Sequence, residues 1–334
     1  MAGQKRPLSV AVIPLETRLE ILRYVAVRAD ELGYDGFSLP ETWSYDTAVL
    51  LTAISMQTRR IKLMAGIWGV WGRTAASIAM AAATLNMIGN GRFQLGLGAS
   101  TPQLVEGWHD RPFRDPYAQF RQVVTQVRAL LEGERIPLRN ETEQRALGLN
   151  LPPQLEIPIY LAATSLKSIR MAGELGDGWL SFLVTRDRLP EYIEMMQASA
   201  DAAGVQKDLV VSAVIPVSVA QDRETARRGV AWLVAFYTVM MGDIYRKALI
   251  RQGYAEEVEA ILAANQGRRP AFSVPPEGEA LLEQLAIYGT PGEIAGQFDA
   301  WYEAGVTNPG VFLNANMDKT QIELTLRAAK GETQ

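Results

Sequence analysis

The chain has 334 residues, with 33 lysines and arginines against 37 aspartates and glutamates and a formal charge of −4. A hydrophobic fraction of 48% supports a large core and argues against disorder, and the near-balanced charge leaves no basic footprint for nucleic acid. With no cysteine and one histidine, His109, the sequence excludes zinc fingers, iron–sulfur clusters, disulfide scaffolds, thiol nucleophiles and multi-histidine metal sites.

The first residues pass from a short polar stretch into an apolar run of strand length with no cleavage-site pattern, and a cytoplasmic protein is expected. The apolar run around Val230 and Phe236 is far shorter than the roughly 20 residues that span a bilayer, so no membrane partner is expected. Short β-type runs then alternate with amphipathic helical stretches, the pattern of parallel α/β architecture. Strands are predicted at 8–13, 35–39, 61–67, 93–97, 159–162, 178–182, 209–219 and 306–313. Helices are predicted at 17–32, 47–58, 74–88, 116–132, 166–175, 189–203, 291–304 and 319–329, with 226–264 helical in one or two pieces broken near Gly253. Pro116 and Pro291 suit first helical turns, and Gly33 suits a C-terminal cap.

About eight βα units in one chain predict a single-domain TIM (β/α)8 barrel over 1–334, with insertion segments at about 135–156 and 240–290. A doubly wound sheet is disfavoured because Ile13-Pro14-Leu15-Glu16 is no glycine fingerprint. Within the second insertion, 267–278 is polar and proline-containing and reads as a surface connector or a mobile flap.

A barrel carries its site at the strand C-terminal ends. After the second strand come Pro40, Glu41, Thr42 and Trp43; after the third, Gly66, Ile67, Trp68 and Trp71. After the fourth come Gly98, Ala99, Ser100, Gln103, Glu106, Trp108 and His109. After the fifth, Ala162, Ala163, Thr164, Ser165 and Leu166 run from a strand end into a helix start, a place that binds phosphate through free N–H groups. Each signal has a plain alternative: turn glycines, an ordinary hydroxyl N-cap, tryptophans packing the mouth, and acids paired with an arginine such as Arg73. Their convergence on one mouth favours a functional site.

The phrases GYDGFSLPETWSYD (33–46), RIKLMAGI (60–67), AATLNMIGNGRFQLGLGASTPQLVEGWHDRPF (82–113), IPIYLAATSLKSIRMAGELGDGWL (157–180) and YGTPGEIAGQFDAWYEAGV (288–306) resemble the luciferase-like oxidoreductase superfamily. Within it they look most like the coenzyme F420 branch related to methylenetetrahydromethanopterin reductase. The resemblance implies a flavin or deazaflavin at the strand C-termini, no metal, a homodimer, and a non-prolyl cis peptide at Gly66-Ile67, with Ile67 as the backrest of the ring. It implies that Pro40, Glu41, Thr42, Gly98, Ala99, Ser100 and Gln103 meet the ring, and that Ala162 to Leu166 hold a phosphate with Lys167 and Arg170 nearby. Glu41-Thr42 stands where many relatives carry an acid-histidine pair, a departure that weakens a proton-transfer role for Thr42.

The implied reaction is hydride transfer between the deazaflavin C5 and a small organic substrate. Catalytic candidates are Glu106, as the acid or base beside Trp108, then Glu41 and His109, with Glu16 as a fallback. On this reading Glu106→Gln lowers turnover about 100-fold. Two alternatives stand beside it: an FMN-dependent monooxygenase using oxygen, and a non-catalytic flavin-binding barrel.

Overall fold

The computed structural model describes residues 6–267 and 270–332. Its strands, in chain order, are β1 (Ser9–Val12), β2 (Gly36–Leu39), β3 (Lys62–Gly69), β4 (Phe93–Gly98), β5 (Ile159–Ala162), β6 (Gly178–Phe182), β7 (Val210–Val219), β8 (Ile287–Gly289) and β9 (Gly310–Leu313). Eight of them close a parallel ring in the order β1-β2-β3-β4-β5-β6-β7-β9, with β9 returning to β1. This is the expected TIM-type barrel. The ninth, β8, lies outside the ring and pairs only with the far end of β7, Val217 opposite Ile287.

Helices sheathe the ring: α1 (Leu19–Glu31), α2 (Thr47–Ser55), α3 (Ala75–Ile88), α4 (Pro102–Gly107), α5 (Pro116–Leu131), α6 (Leu166–Leu175) and α7 (Leu189–Ala202). There follow α8 (Arg223–Met240), α9 (Asp243–Arg251), α10 (Ala255–Ala264), α11 (Glu279–Leu285), α12 (Pro291–Glu303) and α13 (Lys319–Ala329). Several start where an oxygen side chain takes up an orphan amide: Asp46 accepts from Ala48 and Val49, Thr74 from Ser77, and Asp222 from Thr225. Pro116 and Pro291 occupy first turns as expected.

Three elements escaped the sequence pattern. Neither α4, with 6 residues, nor α11, with 7, is long enough to show a helical period, and the 3 residues of β8 are too few to alternate. The stretch expected as one or two helices is three, broken at Gly242 (φ 77°) as well as at Gly253 (φ 105°).

The main core fills the layer between strands and helices and includes the fully buried Trp68, Trp179, Phe37 and Phe93. A second apolar cluster joins Val230, Leu233, Val234 and Tyr237 of α8 to Leu249, Ile261 and Leu281, and through them to Ala11, Ile13 and Phe312 of the ring. Much of the segment expected as an insertion therefore roofs one end of the barrel. Within 267–278, residues 268–269 lie outside the described residues, and Ser273 is pinned on both backbone groups by Asn265 at 2.9 and 2.7 Å. Among the described residues no helix is long and apolar enough to cross a membrane.

Candidate active site

Inward-facing side chains of a TIM barrel ordinarily stack in layers and fill it. Here many are small or absent: Ser9, Ala11, Gly36, Ser38, Gly66, Ser212 and Gly310 line a cavity of about 190 Å³ instead. It opens at the strand C-terminal ends, where Pro40, Glu41, Thr42, Ile67, Ser100, Ala162 and Phe182 border it. Deeper down, Gln94 donates to the Tyr160 hydroxyl at 3.2 Å, and Ser9 donates to Asn308 at 2.8 Å.

The end of β3 shapes one wall. The Gly66-Ile67 peptide is cis, as the family resemblance implied, and the β3–β4 register slips between Ala65 and Trp68. The bulge swings Ile67 across β4, and two glycines there make room for it. A Cβ on Gly98 would sit 2.5 Å from Ile67 Cδ1, and one on Gly96 would sit 2.3 Å from the Ala65 carbonyl oxygen. Glycine spacing in GLGLG-like text thus has a steric cause: the strand is pared back so that the bulge can lean into the cavity.

The acids fall elsewhere than expected. Glu41 borders the cavity, but its carboxylate accepts from Arg73 Nε and Nη2 at 2.7 and 2.8 Å and from the Thr47 amide and hydroxyl at 2.9 Å each. Both carboxylate oxygens are engaged, three bonds on Oε2 and one on Oε1, an arrangement that suits a loop clasp and gives no support to the expected proton-transfer role. Glu16 is buried, which opposes ionisation, yet three hydrogen bonds from Arg18 hold its carboxyl below the ordinary range. It is likewise committed.

Glu106 is exposed on α4, accepts from the Phe113 amide at 3.1 Å, and does not line the cavity. Its place gives no support to the expected acid–base role. His109 packs against Gly72, where an added Cβ would lie 2.5 Å from the ring, and it is also outside the cavity lining. Glu106 stands on the short helix α4 and His109 just beyond its end, a turn of helix that a loop reading of the same residues does not foresee.

Of the expected ring contacts, Pro40, Glu41, Thr42, Gly66, Ile67, Ser100 and Ala162 line the cavity. Gly98 lies beneath Ile67, while Ala99 is half-buried beside it and outside the lining. Gln103 packs against Gly242 and borders a second cavity of about 270 Å³, shared with Trp43, Trp108 and Met240. Thr42 Oγ1 is buried without a hydrogen-bond partner, a donor and acceptor held ready at the mouth.

Ala163, Thr164, Ser165 and Leu166 stand at the rim, outside the cavity lining, where β5 runs into α6. Ser165 caps the helix by accepting from the Ser168 amide at 3.2 Å, and Ser168 Oγ accepts from the Ser165 amide at 3.2 Å in return. Lys167 lies 4.0 Å over the Tyr117 ring, and Arg251 of α9 donates to the Thr164 carbonyl. Arg251 was invisible in the sequence because it arrives from a helix 87 residues away. The aromatic tryptophans divide: Trp68 is core, donating to Thr47 Oγ1 at 2.7 Å, whereas Trp43 and Trp108 are exposed at the mouth.

The roof supplies what sequence reasoning missed entirely. Tyr237 and Met241 from the end of α8 and Tyr245 from α9 close over the cavity opposite Ile67's strand ends, with Phe182 and Phe312 beneath them. Clustered aromatics near the Gly242 break were the available signal.

The closed ring and its mouth cavity place the chain among TIM-barrel proteins with their site at the strand C-terminal ends. It belongs to the luciferase-like monooxygenase family, whose model matches residues 8–308. A Mycobacterium tuberculosis protein with the provisional name coenzyme F420-dependent oxidoreductase is 29% identical over 305 residues, covering 84% of this chain and 86% of its own. The coenzyme F420 dependent tetrahydromethanopterin reductase of Methanopyrus kandleri has a similar structure, with a TM-score of 0.76 at 18% identity over 99% of this chain and 100% of that one. The FMN-bound oxygenating constituent of 3,6-diketocamphane monooxygenase from Pseudomonas putida is similar too, with a TM-score of 0.74 at 19% identity and 98% of each chain covered. At such identities the structural likeness speaks for the fold.

Proposed function

We propose that the chain is a coenzyme F420-dependent oxidoreductase, working as a cytoplasmic homodimer, that transfers a hydride between the deazaflavin C5 and a carbon of a small organic substrate. One observation carries the reading: the Gly66-Ile67 bulge leans into a cavity of small residues beside the unpartnered Thr42 hydroxyl. That wall suits a flat tricyclic ring, with Ile67 against one face and Thr42 at its polar edge. The name of the Mycobacterium tuberculosis relative supports a deazaflavin over FMN.

Bound there, the coenzyme would supply a two-electron hydride donor or acceptor. The chain's own residues do the rest. Ile67 and Ala162 would hold the ring, and the roof residues Tyr237, Met241 and Tyr245 would exclude water from it. The amides of Leu166 and Lys167 at the start of α6, with the Lys167 and Arg170 side chains, are placed for an anionic tail.

Titration of the purified protein with coenzyme F420 and with FMN, followed by absorbance and fluorescence, tests the reading. Tight binding of coenzyme F420 is expected. Binding of FMN alone would favour the monooxygenase, and binding of neither would leave a barrel without chemistry. Light scattering at the same concentrations tests the dimer.

A further inference from the structure

The hydroxyls of Tyr237 and Tyr245 have no task in the reading so far, yet they form the polar part of the roof. Tyr237 is 4% exposed, near the end of α8; Tyr245 stands on α9, beyond the break at Gly242. Their rings lie 5.4 Å apart and perpendicular. Phe182 meets Tyr237 at 4.7 Å and Tyr245 at 5.6 Å, both edge-on, and Phe312 meets Phe182 at 5.4 Å. These contacts fix the rings and do nothing for the hydroxyls.

Among the described residues neither hydroxyl has a hydrogen-bond partner. Neither belongs to the sealed, unpartnered polar atoms of the chain, so each keeps contact with the open cavity that both tyrosines line. Each hydroxyl is a free donor facing the cavity, ready to pair with an acceptor on a ligand that enters it. Among the described residues the lining of this cavity includes no lysine, arginine or histidine, and its one acid, Glu41, is already paired with Arg73. A charged substrate group would therefore be buried there without a counterion.

We propose that Tyr237 and Tyr245 form a two-donor clamp on the oxygen of an uncharged carbonyl substrate, or of the corresponding alcohol, whose apolar body rests on Phe182, Phe312 and Met241. The clamp rests on the cavity itself; its part in turnover rests on the coenzyme reading above. In the reducing direction a hydride from the reduced coenzyme forms a C–H bond at the carbonyl carbon and the C=O electron pair moves onto oxygen. One phenol gives that oxygen its proton, and the phenolate regains a proton from the second phenol and then from solvent. Oxidation of the alcohol runs the same sequence backwards. Burial pushes both phenols up, Tyr245 to about 12, so both stay protonated donors at neutral pH, while an alkoxide is a stronger base than either phenolate.

The test compares acetophenone with ethylbenzene, the same shape without the oxygen, on the wild-type protein and on Tyr237→Phe/Tyr245→Phe. Calorimetry is expected to show acetophenone bound about tenfold more tightly than ethylbenzene by the wild type, a preference within about twofold in the double variant, and ethylbenzene affinity unchanged. The infrared carbonyl stretch of bound acetophenone is expected at lower frequency in the wild type than in the variant. Equal affinities for the two probes in the wild type, no acetophenone binding, or the same carbonyl frequency in both proteins would overturn the clamp. A coenzyme F420 titration on the same samples separates the two readings: a protein that clamps acetophenone but does not bind the coenzyme keeps this inference and loses the other.

Discussion

Glu41 and Arg73 clasp the loops after β2 and β3 across the mouth of the barrel, with both carboxylate oxygens engaged at 2.7 and 2.8 Å. The clasp is extended rather than isolated. Thr47 donates to Glu41 and accepts from Trp68 Nε1 at 2.7 Å, and the Arg73 guanidinium lies 4.9 Å over the Trp68 ring. Backbone joins in as well, the Glu41 amide donating to the Ile67 carbonyl at 3.3 Å. The side chain that most resembles a mouth catalyst thus holds the bulge in place.

Glu41→Gln is accordingly expected to act on stability and positioning. It leaves the mostly buried Arg73 charge without its main partner, which we expect to cost about 2 kcal/mol, seen as a lower Tm together with weaker coenzyme F420 binding. The pH profile of turnover should keep its shape. A lost ionisation in that profile would show that Glu41 moves protons after all.

Glu106→Gln tests the opposite expectation. With its carboxylate on the exposed face of α4 and satisfied by the Phe113 amide, the substitution should leave turnover within about twofold of wild type. A loss of about 100-fold would return Glu106 to the reacting centre, a swing of some 2.7 kcal/mol in barrier.

The two glycines of β4 should behave differently. At Gly96 an added methyl meets the Ala65 backbone oxygen, which cannot step aside, so Gly96→Ala should cost about 3 kcal/mol or fail to fold. At Gly98 the one severe contact is the tip of Ile67, with Ala162 Cβ at an ordinary 3.4 Å, so Gly98→Ala should fold, displace the backrest and weaken coenzyme binding about tenfold. Shortening the obstacle in Ile67→Val/Gly98→Ala should recover part of that affinity. Equal affinity of Gly98→Ala and wild type would mean that Ile67 is no backrest.

Acid should loosen the seam between the first and last helices. Glu323 on α13 accepts from Arg28 of α1 through two bonds of 2.7 Å and from Arg327, and these bonds, led by Arg28, hold its carboxyl down to about 2. Its folded value lies below the unfolded one, so its contribution is complete above the ordinary carboxylate range and is lost as pH falls through about 2. Urea unfolding should find Glu323→Gln less stable than wild type by about 1 kcal/mol at neutral pH, with the gap closing in strong acid. A gap that persists unchanged at low pH would count against the ion pair.

Much was legible in the text alone. Alternating strand and helix patterns named the barrel because local hydrophobic periodicity is the direct cause of those elements, and the loops at strand ends named the mouth because the topology puts them there. The exclusion of thiol nucleophiles and multi-histidine metal sites needed only composition. Position within the mouth was another matter. Glu41, Glu106 and Glu16 are equivalent in sequence as acids after strands, and only the fold reveals that Arg73, the Phe113 amide and Arg18 have claimed them. Tyr237 and Tyr245 sit in a stretch that reads from the sequence as helix without a break before Gly253. The break at Gly242 folds that stretch over the barrel, where both tyrosines line a cavity made by residues from as far apart in the chain as Ser9 and Phe312. Periodicity is a property of neighbours along the chain, whereas the partner that satisfies or leaves free a polar group is a property of neighbours in space, and that is what the tertiary structure decided.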